Sequence, residues 1–490
     1  MGYHSTMRFT RSRAVLTLLL AVTLASAPVR GDGLPELGDV AGGDLPLSAE
    51  KKIGQQIMHE IRWQSPSYLD DPDVEAYLNQ LGGRLSAVSS DPGFGFQFFA
   101  IDEPSINAFA MPGGYIGVHA GLILAAQSES ELAGVLAHEI SHVTQRHIAR
   151  QVYQSKQVGI ASMVAMGLAL LAARSNSQVA GAAIVGSQAG AMSAQLAFSR
   201  DFERESDRLG FDTLQRAGFD VRGMGRFFER LQQAVRLYEN NATAYLRTHP
   251  LTGERLSDMQ NREQAYPYRQ VRDSNDFLLV RARVRALQGR PADAVKELQR
   301  QLAEEKFNSR PAIQYGLAVA LARQRDWSAA EQALAPVQAT GLSSALLEHL
   351  AADLRLAQGD LKQGLRLYSE GLLRFPQHPG LVYGYAAALI EARRFAEALH
   401  FIQGRLASQA EDVRLQKMRA QCHAGLGQFA QQHLALAESF VLQGQTAAAI
   451  EQLQLAQRAA DANFYEMSAI DARLRQMKLK RLEEIRESRN

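Results

Sequence analysis

"VLAHEISHVTQRH" (residues 135–147) sets His138 and His142 four residues apart with Glu139 between them. On an α-helix this spacing puts both imidazoles on one face, where they can share a cation. Glu139 falls about 100° around from His138, close enough to hold a carboxylate beside an activated water. The helix itself is well marked: Ser128 and Glu131 stand in capping-box spacing, and Leu132, Val135, Leu136, Ile140 and Val143 recur with the period of an amphipathic helix. Zinc suits such an N/O donor set, and a catalytic zinc takes a third protein ligand while keeping one position open.

Two spacings can supply that third ligand. In the metzincin pattern a glycine and a third histidine follow the second histidine by three and six residues. Here those positions hold Gln145 and Ile148, and His147 is one place short. On a continued helix His147 points about 140° away from His142 and reads as a structural or surface histidine. The other pattern draws a carboxylate from a later helix. "FSRDFERESDRLGFDTL" (198–214) is amphipathic through Phe202, Leu209 and Phe211 and carries Glu203 and Asp207 four apart. One carboxylate can ligate the metal while the other, a turn on, accepts the free N–H of a ligand histidine. Glu205 competes for the ligand role, but its i, i+2 spacing to Asp207 puts the two on different faces, which favours Glu203.

Outward from this centre, the chain divides by texture. At 490 residues two or three domains are expected, and 46% hydrophobic with 21% charged residues is the composition of a folded globular protein. Arg8, Arg11 and Arg13 precede the apolar run 14–25 and the small residues "SAP", the layout of a secretory signal peptide over residues 1–31, with an uncleaved anchor as the competing reading. Removing 1–31 takes away four arginines and no acid, so the formal charge of +2 becomes −2 and nothing favours nucleic-acid binding. The single cysteine, Cys422, rules out an internal disulfide.

Residues 47–85 predict two helices. Residues 94–123 predict three short strands, with "PGG" (112–114) turning "NAFAM" into "YIGVH". Asn107, Ala108, Phe109 and Ala110 are candidates for a strand edge that hydrogen-bonds an extended substrate, although ordinary hairpin packing explains them equally. Residues 157–197 are Gly/Ala-rich with Arg174 as their one charge, and read as a lid, a buried helix pair or a membrane-contacting element. Beyond residue 270, Ala294, Ala330, Gly364, Ala398 and Gln432 recur at intervals of 36, 34, 34 and 34 residues, the period of helix-turn-helix tetratricopeptide repeats. Regularity is expected to fail at 443–453, only 17 residues on, where the last helices cap the array. Trp327 and Phe395 fall at packing positions.

"NAFAMPGG", "HEISH", "FERESDRLG" and "THPLTGER" occur in the order found in gluzincin peptidases of the CAAX-prenyl-protease/HtpX class, which the chain resembles over residues 47–460. The resemblance implies an α+β gluzincin-type metallopeptidase domain (32–268), mostly helical with a small sheet. An all-α tetratricopeptide-repeat solenoid (269–465) and a capping helix (466–490) follow. It places the zinc-binding glutamate in Glu-x-x-x-Asp, matching Glu203 and Asp207, with Ser206 where alanine is usual. With the signal peptide and the repeats it points to the periplasmic branch: one Zn2+ per chain, misassembled outer-membrane proteins as substrates, and the barrel assembly machinery as partner of the repeats.

The expected mechanism is metal-assisted peptide hydrolysis, with His138, His142 and Glu203 as ligands and Glu139 as general base. His249 either donates to the oxyanion or fills the open metal position and holds the enzyme latent. Arg255 either anchors the loop carrying His249 or positions substrate. Competing readings are a non-proteolytic periplasmic chaperone or assembly scaffold with a latent zinc domain, and an intramembrane protease using 157–197 as spans.

Overall fold

The computed structural model describes residues 45–155, 199–237, 243–267 and 269–487. The expected signal peptide and the 157–197 element lie outside these. Among the described residues no helix is long and apolar enough to cross a membrane.

Two helices come first, α1 (Leu47–Gln64) and α2 (Pro72–Ser86). The second starts where it does because the Asp71 side chain accepts the N–H groups of Asp73 and Val74 and Pro72 occupies the first turn. Strands β1 (Gln97–Ile101), β2 (Ala108–Met111) and β3 (Tyr115–His119) form one sheet in the order β1-β3-β2. Strand β3 runs parallel to β1 and antiparallel to β2, so β2 is an edge. The predicted turn is a 3-10 segment, Pro112–Gly114, in which Gly113 and Gly114 have φ of 80° and 91°. Helix α1 lies against this turn so closely that a Cβ on Gly54 would sit 1.9 Å from the Pro112 carbonyl oxygen.

Next come α3 (Ala120–Ala125), α4 (Glu129–Thr144), α5 (His147–Ser155), α6 (Arg200–Arg216), α7 (Arg222–Leu237), α8 (Thr243–Thr248) and α9 (Gly253–Gln264). At the start of α4 the Ser128 hydroxyl accepts the Glu131 N–H, as the capping spacing predicts. The Glu131 carboxylate, however, accepts from Gln127 N–H and pairs with Arg230 instead of closing back on Ser128. The expectation of an amphipathic α4 is corrected too. Residues 129–143 are buried on every face, because α2, α6, α7 and β2 enclose the helix.

From Asn275 onward the described chain is a series of paired helices. The pairs are α10 (Asn275–Leu287) with α11 (Pro291–Ala303), α12 (Arg310–Arg323) with α13 (Trp327–Ala339), and α14 (Ala345–Ala357) with α15 (Leu361–Arg374). They continue with α16 (Pro379–Glu391) and α17 (Phe395–Leu406), α18 (Val413–Gly425) and α19 (Phe429–Leu442), and α20 (Thr446–Arg458) and α21 (Phe464–Glu487). Ala294, Ala330, Gly364 and Ala398 are buried near the start of each second helix, whereas Gln432 is half-buried. The turns within the first five pairs use a left-handed residue at the same place: Gly289, Arg325, Gly359, Arg393 and Gly427. The repetition does not fail at 443–453. That segment is the first helix of a sixth pair, and the 17-residue interval is half a repeat. The closing helix begins at Phe464, two residues before the expected cap.

The hydrophobic core runs across residue 268 without a gap, from Val74, Leu78 and Leu81 of α2 through Phe277 and Val280 of α10 to Leu350 and Leu354 of α14. A buried polar knot reinforces this junction. Arg283 of α10 binds the Asp71 and Asp73 carboxylates at 2.9 and 3.1 Å and donates to the Tyr315 hydroxyl. His349 of α14 reaches Asp73 from the other side, and Gly380 of α16 packs so closely on this pair that a Cβ there would sit 2.4 Å from the Asp73 carboxylate.

Candidate metal centre

Helices α4, α6, α8 and α9 carry the residues that the sequence singles out, and three close contacts bring them together. Gly210 of α6 faces the backbone of His138, where a Cβ would sit 3.0 Å from its amide nitrogen, and Gly223 of α7 approaches the Ser130 carbonyl. The turn after α8 then delivers His249, whose ring stacks on Tyr245 with centroids 4.5 Å apart.

The result is a buried cluster in which His138, His142, Glu203 and His249 each offer one donor atom, all within 4.8 Å of one another. The Nε2 atoms of His138 and His142 are 3.0 Å apart. Glu203 Oε1 lies 3.4 Å from His142 Nε2 and 2.9 Å from His249 Nδ1, and Glu203 Oε2 lies 3.5 Å from His138 Nε2. Glu139 is fully buried, with His249 Nε2 at 3.5 Å from its Oε1, and among the described residues neither of its oxygens has a hydrogen-bond partner. Two ring nitrogens on one tetrahedral ion are roughly 3.3 Å apart, so this donor set fits a zinc-like cation. Burial would push the Glu203 carboxyl up, but His249, His138 and His142 hold it well below the usual carboxylate range, so it stands there as an anion.

His138 and His142 are each backed by a relay. His138 Nδ1 faces Asp207 Oδ1 at 3.0 Å, and Asp207 receives Nε and Nη2 of Arg255 at 2.6 and 2.8 Å. Burial works to lower the His138 imidazole, yet the bonds to Asp207 and Glu203 lift it to about 9. On the other side His142 Nδ1 meets His147 Nδ1 at 3.0 Å, and His147 Nε2 meets Glu205 at 3.0 Å. Burial brings His147 down to about 4 against the pull of Glu205, which leaves a neutral ring able to accept from His142 and donate to the carboxylate. The Ser206 hydroxyl sits 3.3 Å from His147 Nδ1, and the Phe202 ring stacks on the imidazole.

Three of the readings left open by the sequence are narrowed. His147 is no surface residue: α4 stops at Thr144, Arg146 takes a left-handed φ of 52°, and the chain folds His147 back beneath His142. The continued-helix argument fails at that break. Glu205, weighed as a metal ligand, instead faces His147 and Arg150. Arg255, a candidate for substrate, is buried with its donors on Asp207, Glu203 and the Pro250 carbonyl, which makes it an anchor for the His249 loop. Nothing in "VTQRH" signals the left-handed break, so His147 and Glu205 could not be assigned from spacing.

Asn107, Ala108 and Phe109 are buried and Ala110 is half-buried, so their side chains pack in the hairpin as the bland reading has it. The backbone of β2 is nonetheless a sheet edge, and β2 touches α4.

Residues 70–263, which contain the whole cluster, match Peptidase family M48, and residues 355–422 match a tetratricopeptide repeat. The chain is 32% identical to the putative beta-barrel assembly-enhancing protease of Vibrio cholerae, over 97% of this chain and 99% of that protein. It is 31% identical to the beta-barrel assembly-enhancing protease of Escherichia coli K12, over 96% of each. The mitochondrial metalloendopeptidase OMA1 of Schizosaccharomyces pombe is 27% identical over 48% of this chain and 66% of its own length.

Proposed function

The chain belongs to peptidase family M48 and is a metalloendopeptidase, and from that premise we propose a zinc enzyme of the Gram-negative periplasm, one Zn2+ per chain, that degrades misassembled outer-membrane proteins and supports barrel assembly. The two full-length relatives are named for barrel assembly, and the repeat array offers the extended surface on which stacked helix pairs hold other proteins. The barrel assembly machinery is its proposed partner.

His138, His142 and Glu203 hold the metal in this reading. The bound ion supplies Lewis-acid chemistry, polarising water and the scissile carbonyl. Glu139 takes a proton from the attacking water and passes it to the departing amine nitrogen. Asp207 and His147 orient the ligand rings, and Arg255 braces Asp207 and the turn that carries His249. The outer edge of β2, within the Asn107–Ala110 stretch, hydrogen-bonds an extended substrate beside α4. The observation that carries the assignment is Glu139, fully buried beside the donor set, with His249 Nε2 3.5 Å from its Oε1 and no hydrogen bond to either oxygen among the described residues. A buried polar group left this way is costly unless a reacting group or ion takes it up.

His249 is the resting fourth ligand in this proposal, holding the enzyme latent until its turn moves. Its membership of the four-donor cluster supports that role over oxyanion donation. The test is degradation of an unfolded outer-membrane protein by the zinc-loaded chain and by Glu139→Gln. Loss of cleavage with zinc retained supports the peptidase. Equal inactivity of both, with aggregation of the client prevented, favours the chaperone or assembly scaffold.

A further inference from the structure

Outside the four-donor cluster, α10 and the connection between α11 and α12 line a partly open cavity of about 140 Å³. Its polar lining is Arg281, Arg285, Gln301, Lys306, Asn308 and Ser309, and no aspartate or glutamate contributes to it. Arg281 and Arg285 are one turn apart on α10, so their guanidinium groups rise on the same face. Both are half-buried, and among the described residues neither forms an ion pair. Arg281 lies over the Phe277 ring, and Arg285 donates to Gln301 Oε1 at 3.2 Å.

The nearby carboxylates make no ion pair with either arginine among the described residues, although Asp273 and Glu131 attract Arg281 and Glu297 attracts Arg285. Glu131 takes both prongs of Arg230, Glu297 takes both prongs of Arg300, and Asp273 accepts the Glu129 N–H at 2.7 Å. Lys306, at the rim, pairs with Glu304 outside the cavity. Burial lowers both arginines, and Arg281 is lowered further by Arg285 beside it. Folded proteins pair charges they withdraw from water, so an unpaired couple around a cavity points to a partner supplied from outside.

We propose that this cavity binds a phosphate-class oxyanion, either free phosphate or the phosphomonoester end of a larger molecule, clasped by Arg281 and Arg285. The charges select the class. A phosphomonoester carries close to two negative charges at neutral pH and balances two guanidinium groups, whereas a single carboxylate leaves one uncompensated. Planar guanidinium forks match the oxygens of a tetrahedral phosphate, and Ser309, Asn308 and Gln301 add neutral hydrogen-bonding groups.

The test titrates the full-length protein with inorganic phosphate, followed by calorimetry and by thermal midpoint, against chloride at equal ionic strength. Saturable binding is expected, weakened about tenfold or more in Arg281→Gln and in Arg285→Gln and unchanged in the remote Arg366→Gln. Each glutamine variant removes a half-buried unpaired charge, so its midpoint in phosphate-free buffer should be no lower than the parent's. Should either fail to fold, Arg281→Lys keeps the charge without the fork and is expected to bind more weakly. Glycerol 3-phosphate separates the sources: tighter binding than phosphate marks a phosphomonoester, weaker binding the free ion. The proposal is overturned by no binding beyond chloride, by binding that survives both arginine variants, or by tighter binding of a glutamate-rich peptide than of phosphate.

Discussion

His349, on the third repeat pair, places its Nδ1 2.9 Å from the carboxylate of Asp73 in α2, with side-chain exposures of 10% and 0%. Burial works against the charge on His349, but Asp73 and Asp353 outweigh it and raise the imidazole to about 9. Asp73, despite the opposing push of burial, is held well below the carboxylate range by Arg283 and His349. The signs define a window. The His349 contribution is complete below its unfolded value near 6.5 and disappears as pH rises through about 9, while that of Asp73 is present above about 3.8 and disappears as pH falls. A His349→Gln variant should lose about 3–5 kcal/mol near pH 6. Thermal midpoints measured across pH should converge on the parent's above pH 9; a gap that stays constant to pH 10 contradicts the ion pair.

Replacing His249 by alanine should raise basal proteolysis. If the open state is a minor one, populated at the level of a few per cent, freeing the fourth position increases turnover roughly 10- to 100-fold. Peptide-release assays on zinc-loaded protein read this directly, and a fall in turnover would instead assign His249 to the oxyanion.

The two relays behind the ligand histidines should govern metal affinity. Asp207→Ala and His147→Phe are each expected to weaken zinc binding about 10- to 100-fold, since each removes the partner that fixes a ligand ring. Competition with a chromogenic chelator measures it, and unchanged affinity in both variants would refute the arrangement.

Gly210 sets how closely α6 approaches α4. A valine there meets the His138 backbone and Met224, so Gly210→Val should lower stability by about 1–3 kcal/mol and, by moving Glu203 outward, weaken zinc binding as well. A destabilised variant with intact affinity would mean that the helices part without carrying Glu203 with them.

Chelation should abolish cleavage and lower the thermal midpoint, because the ion binds the folded chain and not the unfolded one. Re-addition of zinc restores both if the site is preformed.

Much of this architecture can be read from sequence because it rests on spacing. The i, i+4 pairs His138/His142 and Glu203/Asp207 survive any detail of tertiary packing, and "PGG" can only turn. The repeat period is equally plain, yet its continuation past residue 443 is hidden, since the two helices of a pair look alike and half a period passes for a break. What spacing cannot convey is where a helix stops without glycine or proline. The left-handed Arg146 is such a place, and with it goes the whole second relay through His147 and Glu205. Arg255 is obscured for a different reason: a lone arginine six residues after a histidine carries no sign that two buried carboxylates await it.

The unbroken core beneath α2, α10 and α14 divides the repeats into unequal halves. The proximal pairs are structural parts of the enzyme, so deleting or transplanting them exposes the apolar face of α2 and denatures the active site. Farther along, clusters form around Ile402 and Leu415 and around Leu453 and Leu474, but α16 still belongs to the junction, through Gly380 on Asp73 and Leu381 beside Tyr368.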